Sequence, residues 1–212
     1  MGTHVELASN MDPRAIRAKF GQDYVATERT FMMGIDQRFT AEMAERFRNR
    51  QVLETCTGGG FTTIALARVA AHVITVEIDQ AHQAQARQNL ATAGLLGRVT
   101  FVLADIMDEH TWDGLPPVDA AFLDPDWAAT GPDHVHRFVP SSTRPPADAL
   151  LERSFRATRN LALVLPPTLD IRELCTLPSH ERQKLYMDQS HELYCLYFGD
   201  LAVSLGETEL RV

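Results

Sequence analysis

The chain has few cysteines and no long apolar run. Three cysteines among 212 residues, Cys56, Cys175 and Cys195, are too few and too scattered for a disulfide framework or a zinc site. No apolar segment approaches the ~18 residues that a membrane-spanning helix requires, and no basic segment followed by an apolar stretch indicates secretion. These absences argue against a disulfide-rich secreted protein and a membrane protein, and they favour a cytoplasmic location.

The chain also lacks an excess of basic residues. Its formal net charge of −8 argues against a long electrostatic track for nucleic acid. The charge is uneven: residues 13–50 carry eight Lys and Arg against five Asp and Glu, whereas residues 51–212 carry twelve against twenty-one. Solvated helix faces are the simple interpretation. The alternative is a locally positive lid over an anionic substrate.

Apolar runs alternate with helical patterns from residue 51 onward. With 45% hydrophobic and 23% charged residues the chain can form a sizeable core. The alternation predicts an α/β fold of the Rossmann-like class, with a mostly parallel sheet and helices on both faces. The expected strands are 51–56, 72–76, 99–103, 118–123, 160–165, and a closing pair at 185–187 and 193–198; the expected helices are 61–71, 80–93 and 169–177.

The chain divides into three parts by pattern. Residues 1–12 are expected to be a disordered start or an expression remnant. Residues 13–50 are predicted to form a helical N-terminal extension beside the sheet, and residues 51–212 the main domain. The stretch Ala128–Ala147 is the least regular, and such a long loop in a compact domain is more often functional than idle.

A glycine cluster follows the first predicted strand. Gly58, Gly59 and Gly60 close the run 53–60, LETCTGGG, where the chain must turn into a helix. Glycine permits positive φ and a close approach of the backbone to a ligand, although glycine turns also serve purely as crossovers. No Gly-Lys-Ser/Thr triplet follows, so the cluster is not a phosphate loop.

Acidic residues follow the next two predicted strands. Glu77 lies about twenty residues beyond the glycines, where a carboxylate can accept hydrogen bonds from both ribose hydroxyls. Asp105 follows the third strand and could bind an adenine amino group. For Asp79 we favour a helix N-cap. Since the carboxyl ends of parallel strands meet at one edge, Gly58, Glu77 and Asp105 together predict an adenosine pocket.

The fourth predicted strand ends in Asp124, Pro125, Asp126 and Trp127. Trp127 offers a face on which a planar base can stack, an interaction of ~1–3 kcal/mol. Asp124 and the Pro125 carbonyl can accept hydrogen bonds from an exocyclic amine. The competing interpretation is that Asp124 caps a turn and Trp127 belongs to the core. Beside an adenosine pocket, the quartet favours a site for a flat amine.

These motifs resemble those of the RNA cap guanine-N2 methyltransferases, the trimethylguanosine synthase-like family. The resemblance covers roughly residues 14–203. It is carried by 53–60, 73–79, 86–89, 101–105 and 122–127, and more specifically by 163–166 with 170–171 and by 197–201. It implies a seven-stranded class I methyltransferase fold with S-adenosyl-L-methionine as cofactor. The expected acceptor is N2 of guanine in RNA or in a cap-like nucleotide.

The resemblance also assigns roles. It implies that Glu77 holds the ribose, Asp105 the adenine edge and Gly58 the region near the methionine, while Trp127 stacks on the guanine side. The full expected set is Thr55, Thr57, Gly58, Gly60, Glu77, Ile78, Asp105, Ile106 and Asp124 for the cofactor, Asp124, Pro125 and Trp127 for catalysis, and Asp126 and Trp127 for the substrate. The family usually has Ser-Pro-Pro-Trp-Gly-Gly at 124–129, whereas this chain has Asp126 at the second proline and alanines at the glycines.

Two other functions stay open. The enzyme could methylate a small molecule or a protein, which the acidic main domain favours, or the chain could bind the cofactor without turnover, because Asp126 departs from the family pattern. Cys56 and Cys195 fall on strand patterns and are interpreted as packing residues. His134 and His136 lack a third ligand at suitable spacing, so no metal is expected. The sequence leaves the oligomeric state open.

Overall fold

The computed structural model describes residues 11–127 and 134–212. These residues form one eight-stranded sheet with helices on both faces, in the strand order β3-β2-β1-β4-β5-β7-β6-β8. The strands are β1 Gln51–Thr55, β2 His72–Glu77, β3 Val99–Leu103, β4 Ala120–Leu123, β5 Leu161–Leu165, β6 His180–Met187, β7 Ser190–Phe198 and β8 Gly206–Arg211. In these ranges, no helix has the length and apolar character needed to cross a bilayer.

Within the described residues, seven α-helices flank the sheet. They are α1 Pro13–Phe20, α2 Glu28–Met33, α3 Gln37–Glu45, α4 Phe61–Val69, α5 Gln80–Thr92, α6 Glu109–Asp113 and α7 Ala147–Ala157. The helix expected at residues 169–177 is a 3₁₀ helix over Ile171–Thr176. Two apolar clusters lie on opposite faces of the sheet, and α1, α3 and α4 contribute to one of them while α7 contributes to the other.

The predicted α/β class is confirmed, but the strand count is not. β1 to β5 are parallel, β7 is antiparallel to both β5 and β6, and β8 adds to β6 as an eighth strand. β8 has the sequence GETELR and exposes Gly206, Glu207 and Glu209. A polar edge strand carries little of the apolar pattern by which strands are predicted, which is why β8 was not expected.

The N-terminal extension packs on the main domain as part of a single core. Ile16, Phe20 and Phe39 are buried in the same cluster as strands β1 and β4, and the Phe20 ring stacks on Phe61 of α4 with centroids 3.6 Å apart. Asp12 caps α1, and Met11 packs against the core. Residues 11 and 12 thus contact the helical extension and the core, while residues 1–10 lie outside the described ranges, so the interpretation of 1–12 as a disordered start or an expression remnant stays a prediction.

Two buried amides of α5 hold the extension in place. The Asn89 side chain accepts from Val25 N at 2.8 Å and donates to Val25 O and to Gly59 O, both at 2.9 Å. Gln85 donates to Val25 O at 2.8 Å and to the Thr30 hydroxyl at 2.9 Å. These bonds satisfy backbone groups that regular secondary structure leaves unpaired. They fix the extension against the glycine turn.

The basic residues of the extension are mostly paired. Arg17, Arg38 and Arg48 form ion pairs with carboxylates of the extension itself, and Lys19 donates to Phe31 O at 2.7 Å. Arg46 pairs with Glu181 of β6. This local pairing argues against a broad positive lid, since none of these five side chains lines the cleft described below, whereas Arg29 does.

The pair between Arg46 and Glu181 joins the extension to the sheet. Its Nη1–Oε2 distance is 2.7 Å, the Glu181 side chain is 0% exposed, and the guanidinium also lies 3.7 Å from the centre of the Tyr197 ring. Hydrogen bonds from Arg46, Thr208 and Val203 N outweigh burial and lower the pKa of Glu181 to about 2. The Glu181 carboxylate of this pair is fully shielded from water.

We expect Arg46→Ala to lower the free energy of unfolding by about 3–5 kcal/mol, because it leaves a buried carboxylate without its partner. Arg48→Ala is the matched control: its exposed pair with Glu45 has an N–O distance of 2.6 Å, and its loss should cost ~0.2–1 kcal/mol. Urea unfolding followed by circular dichroism measures both. Equal losses in the two variants would contradict the structural role of Arg46.

Candidate functional site at the carboxyl edge of the sheet

The site lies where strand order reverses, since β1 is flanked by β2 on one side and β4 on the other. In open parallel sheets ligands bind outside the carboxyl ends of the strands at this point. The turn after β1 approaches it with a backbone of unusual conformation. Cys56, Gly58 and Gly60 have φ of +62°, +53° and +79°, and a Cβ on Gly58 would meet no atom nearer than 4.0 Å. Gly58 thus leaves open space on the cleft side.

Glu77 organises the glycine turn from the end of β2. Its carboxylate accepts from Gly58 N at 2.8 Å and from Asp79 N at 2.9 Å, and the residue is 5% exposed. An ionised carboxylate has about four acceptor positions, so about two are left for a ligand. The helix-cap prediction for Asp79 is confirmed, because it accepts from Ala81 N and His82 N at the start of α5.

A cleft of about 620 Å³ opens beside Glu77. Ile78 presents an apolar side chain that is 67% exposed, whereas Ile106 is buried beneath the cleft. Asp105 lies exposed at the rim, and its carboxylate accepts from Met107 N at 2.8 Å. The structure thus brings Glu77, Ile78, Asp105 and Ile106 to one cleft, as predicted.

A narrower pocket of about 50 Å³ adjoins this cleft, and Met33, Cys56 and Asp126 line both. Its other walls include α2 of the extension, the glycine turn and the segment after β4: Thr30, Met32, Gly34, Glu54, Thr57, Gly58, Gly59, Phe61, Thr62, Asp124, Pro125 and Trp127. The predicted quartet 124–127 therefore lies next to the cleft. The indole of Trp127 meets the His136 ring edge-on, with centroids 6.4 Å apart.

Asp126 is fixed from two directions. Its carboxylate forms an ion pair with Arg29 of α2 at 2.6 Å, and its side chain is 10% exposed. Its main chain pairs with Arg144 through two bonds of 2.8 Å, one in each direction. A proline at this position, as the family usually has, could not donate the bond from Asp126 N. Ala128 and Ala129, the other departures, lie outside the described residues.

Two carboxyl groups in the site hold protons unusually tightly. Burial raises the pKa of Asp124 to about 8, with Glu54 and Asp126 adding repulsion. Burial also raises the pKa of Glu54 to about 7, although hydroxyls of Thr63 and Thr75 donate to it at 2.6 Å. Both carboxyls face the same narrow pocket. A cluster of acids with raised pKa values favours a cationic ligand.

Some predicted residues have other positions. Thr55 is fully buried on β1. Gly60 immediately precedes α4 and packs against Ala86, so a Cβ at Gly60 would come within 2.8 Å of the Ala86 side chain. Neither lines the two cavities, so both have packing roles. Cys56 was assigned to a strand, but it follows β1 and lines both cavities. Burial raises the pKa of its thiol well above the usual range. Cys195, in contrast, is buried on β7 as expected.

Several lining residues were missed. Arg29 and Met33 come from α2, and Arg144, Pro145 and Pro146 from the irregular loop. Their distance along the chain from the strand ends left no local signal, apart from the basic character of the extension. The described residues contain no group of three or more His, Cys, Asp or Glu side chains placed to hold a metal ion.

The fold and the position of the cleft define the Rossmann-like methyltransferase class. Residues 49–199 match the family described as RNA cap guanine-N2 methyltransferase. The match covers well over half of the chain, which therefore belongs to this family.

Relatives and solved structures agree with the class. A catechol O-methyltransferase of Mycobacterium tuberculosis is 34% identical over 118 residues, which are 54% of this chain and 54% of that protein. A protein of Porphyromonas gingivalis W83 assigned as a methyltransferase has a TM-score of 0.71 at 16% identity, over 92% of this chain and 53% of that one. The Mycoplasma capricolum enzyme TrmK, solved with S-adenosylhomocysteine, has a TM-score of 0.55 at 11% identity, over 79% and 69%. The chain spans about half the length of the first two.

The cofactor of this family and fold is S-adenosyl-L-methionine, and the residues present fit it. Gly58 leaves a cradle that a side chain would fill. Glu77 keeps acceptor positions for hydroxyls, and Ile78 offers an apolar surface that is 67% exposed within the cleft. The acids around the narrow pocket suit a positively charged sulfonium.

We expect Asp124→Asn to raise the free energy of unfolding relative to wild type more at pH 9 than at pH 6. The pKa of Asp124 is raised in the folded state, so its contribution to stability is complete near pH 4 and is lost as pH rises through about 8. Between pH 6 and pH 9 the gain should be about 3 kcal/mol, measured by urea unfolding at three pH values.

The exposed helix cap Asp108 provides the control, because it lies in neither cavity. Asp108→Asn, which keeps a side chain that can cap the helix, should not reproduce the gain between pH 6 and pH 9. A pH-independent effect of Asp124→Asn would contradict the inference that the folded protein holds a proton on Asp124.

Proposed function

We propose that the protein is an S-adenosyl-L-methionine-dependent methyltransferase that acts on an exocyclic amine of guanine, N2, in RNA or a cap-like nucleotide. The observation that carries this proposal is the placement of Asp124, Pro125 and Trp127 on the wall of a pocket that opens beside the cofactor-shaped cleft. Membership of the guanine-N2 family supports it. The negative charge of the chain is compatible with a short, base-directed contact.

Binding and alignment would fall to four residues around the glycine turn. When bound, the cofactor supplies a methyl group already activated by its sulfonium. Glu77 would hold the ribose hydroxyls, Asp105 the adenine amino group, and Ile78 one face of the adenine ring. Gly58 would let the backbone approach the methionine portion. Positioning of this kind contributes ~7–11 kcal/mol in well-oriented reactions.

The acceptor amine would be oriented by the segment after β4. Trp127 offers its indole for stacking of the base, while Asp124 and the Pro125 carbonyl accept the amine hydrogens. This arrangement turns the nitrogen lone pair toward the cleft. Burial raises the pKa of Asp124 to about 8, so this carboxyl holds a proton at neutral pH while the site is empty. A bound sulfonium would favour its ionised form, and that carboxylate would then take up the proton that the amine releases.

Glu77→Gln should weaken binding of S-adenosylhomocysteine about tenfold, since a charged hydrogen bond contributes ~1.5–3 kcal/mol. Isothermal titration calorimetry measures this on a variant whose fold is checked by circular dichroism. Glu209→Gln on the edge strand β8, which lines neither cavity, is expected to bind as wild type does. Unchanged affinity of Glu77→Gln would show that the ribose is held elsewhere.

Trp127→Ala should lower kcat/KM for methyl transfer to guanine nucleotides about 5- to 150-fold while keeping S-adenosylhomocysteine affinity within about threefold, because stacking contributes ~1–3 kcal/mol to base binding only. Transfer is measured with a labelled methyl donor. Trp112→Phe is the control, because Trp112 donates to Ile106 O behind the cleft and should retain transfer. Methyl transfer by Trp127→Ala at the wild-type kcat/KM would rule out the stacking role.

An O-methyltransferase of small phenols is the second candidate, because 118 residues are 34% identical to a catechol O-methyltransferase. A carboxylate at Asp124 can accept a phenol O–H as well as an amine N–H. Wild-type transfer to free guanosine nucleotides, a capped dinucleotide, bulk RNA and catechol discriminates the two. Transfer to catechol alone would replace the guanine proposal, and cofactor binding without transfer to any acceptor would favour a non-catalytic role.

A further inference from the structure

We propose that Arg29 is a positioning residue that fixes the acceptor wall: through its ion pair with Asp126, it holds the segment that carries Asp124 and Trp127. The name "acceptor wall", meaning residues 124–127, rests on the proposed function. The physical claim, that a side chain of the N-terminal extension restrains the Trp127 indole, stands on geometry alone.

Arg29 projects from a helix that is anchored on both sides. The N-terminus of α2 has a capping box formed by Thr27 and Thr30, and the Thr30 hydroxyl also accepts from Gln85 at 2.9 Å. At the C-terminus, Gly34 packs so closely that a Cβ would come within 2.7 Å of the Phe61 ring. With α2 held in this way, Arg29 is a fixed point against which Asp126 can be held.

Asp126 transmits this restraint to its neighbours. Its carboxylate, 10% exposed, lies 2.6 Å from Arg29 Nη2, while its main chain pairs with Arg144. One residue is thereby held by its side chain and by its backbone. Trp127 follows directly, so its Cα position is set by this pair of contacts. A proline restricts its own φ without a partner; an aspartate does not, and here an ion pair and a backbone bridge supply the restraint.

The fluorescence of Trp127 tests the restraint without any acceptor. The chain has two tryptophans, so Trp112→Phe leaves Trp127 as the single reporter. In that background, Arg29→Met and Asp126→Asn should raise the acrylamide quenching constant of Trp127 about twofold and lower its anisotropy, as expected for loss of an ion pair of this exposure. Circular dichroism and the melting temperature check the fold.

Arg48→Met is the matched control, because Arg48 and Arg29 have the same side-chain exposure of 56% and both pair with a carboxylate at 2.6 Å. It should leave the quenching constant unchanged. In the charge-swapped variant Arg29→Asp/Asp126→Arg, acrylamide should quench Trp127 less than in Arg29→Asp alone or Asp126→Arg alone. A merely structural role of the two residues would not produce this recovery. Quenching equal to the parent in Arg29→Met, or an equal rise in Arg48→Met, would overturn the inference.

A titration of the Trp112→Phe parent with S-adenosylhomocysteine separates this inference from the proposed function. Absence of binding would count against the methyltransferase proposal and leave the quenching comparison valid. Binding together with unchanged Trp127 quenching in the Arg29 and Asp126 variants would contradict the positioning role alone.

Discussion

The side-chain amide of Asn89 connects the three parts from which the cleft is built. It uses its oxygen and its nitrogen on the backbone of Val25, and its nitrogen also donates to Gly59 O. Asn89 is fully buried, so each lost bond would leave a polar group without water. The extension, α5 and the glycine turn are consequently held in one register. The narrow pocket exists because α2 is carried by this extension and faces the segment after β4.

Four acidic side chains lie close together at the carboxyl edge of the sheet, and their surroundings differ. Glu77 accepts two backbone amides, Glu54 accepts two threonine hydroxyls, and Asp126 pairs with Arg29. No hydrogen bond or ion pair of this kind offsets the burial of Asp124, and its pKa is raised to about 8. Like charges at close range cannot all remain ionised without a counter-charge. A cation bound at the junction of the two cavities would therefore favour the ionised forms of Asp124 and Glu54.

The sequence was sufficient for the parallel part of the sheet, because β5 is a continuous apolar run, β2 is short and rich in β-branched residues, and the glycines mark the turn after β1. It also placed Glu77 and Asp105 at one edge, since parallel strands end together. Strand β8 was missed because its residues are mostly polar. The contribution of Arg29 and Arg144 was missed for another reason: both act through contacts distant along the chain. Cys56 was misplaced because a non-glycine residue at φ +62° has no distinctive signal.

The narrow pocket is built partly from residues that the family match does not cover. The match spans residues 49–199, whereas Thr30, Met32 and Met33 of α2 form one wall of the narrow pocket. The opposite wall carries Asp126, at a position where the family usually has proline. One wall of the pocket thus lies outside the matched residues, while the cofactor cleft uses strand ends at the place where open parallel sheets bind ligands. The cleft is a product of the sheet topology, whereas the narrow pocket forms where α2 and residues 124–127 face each other.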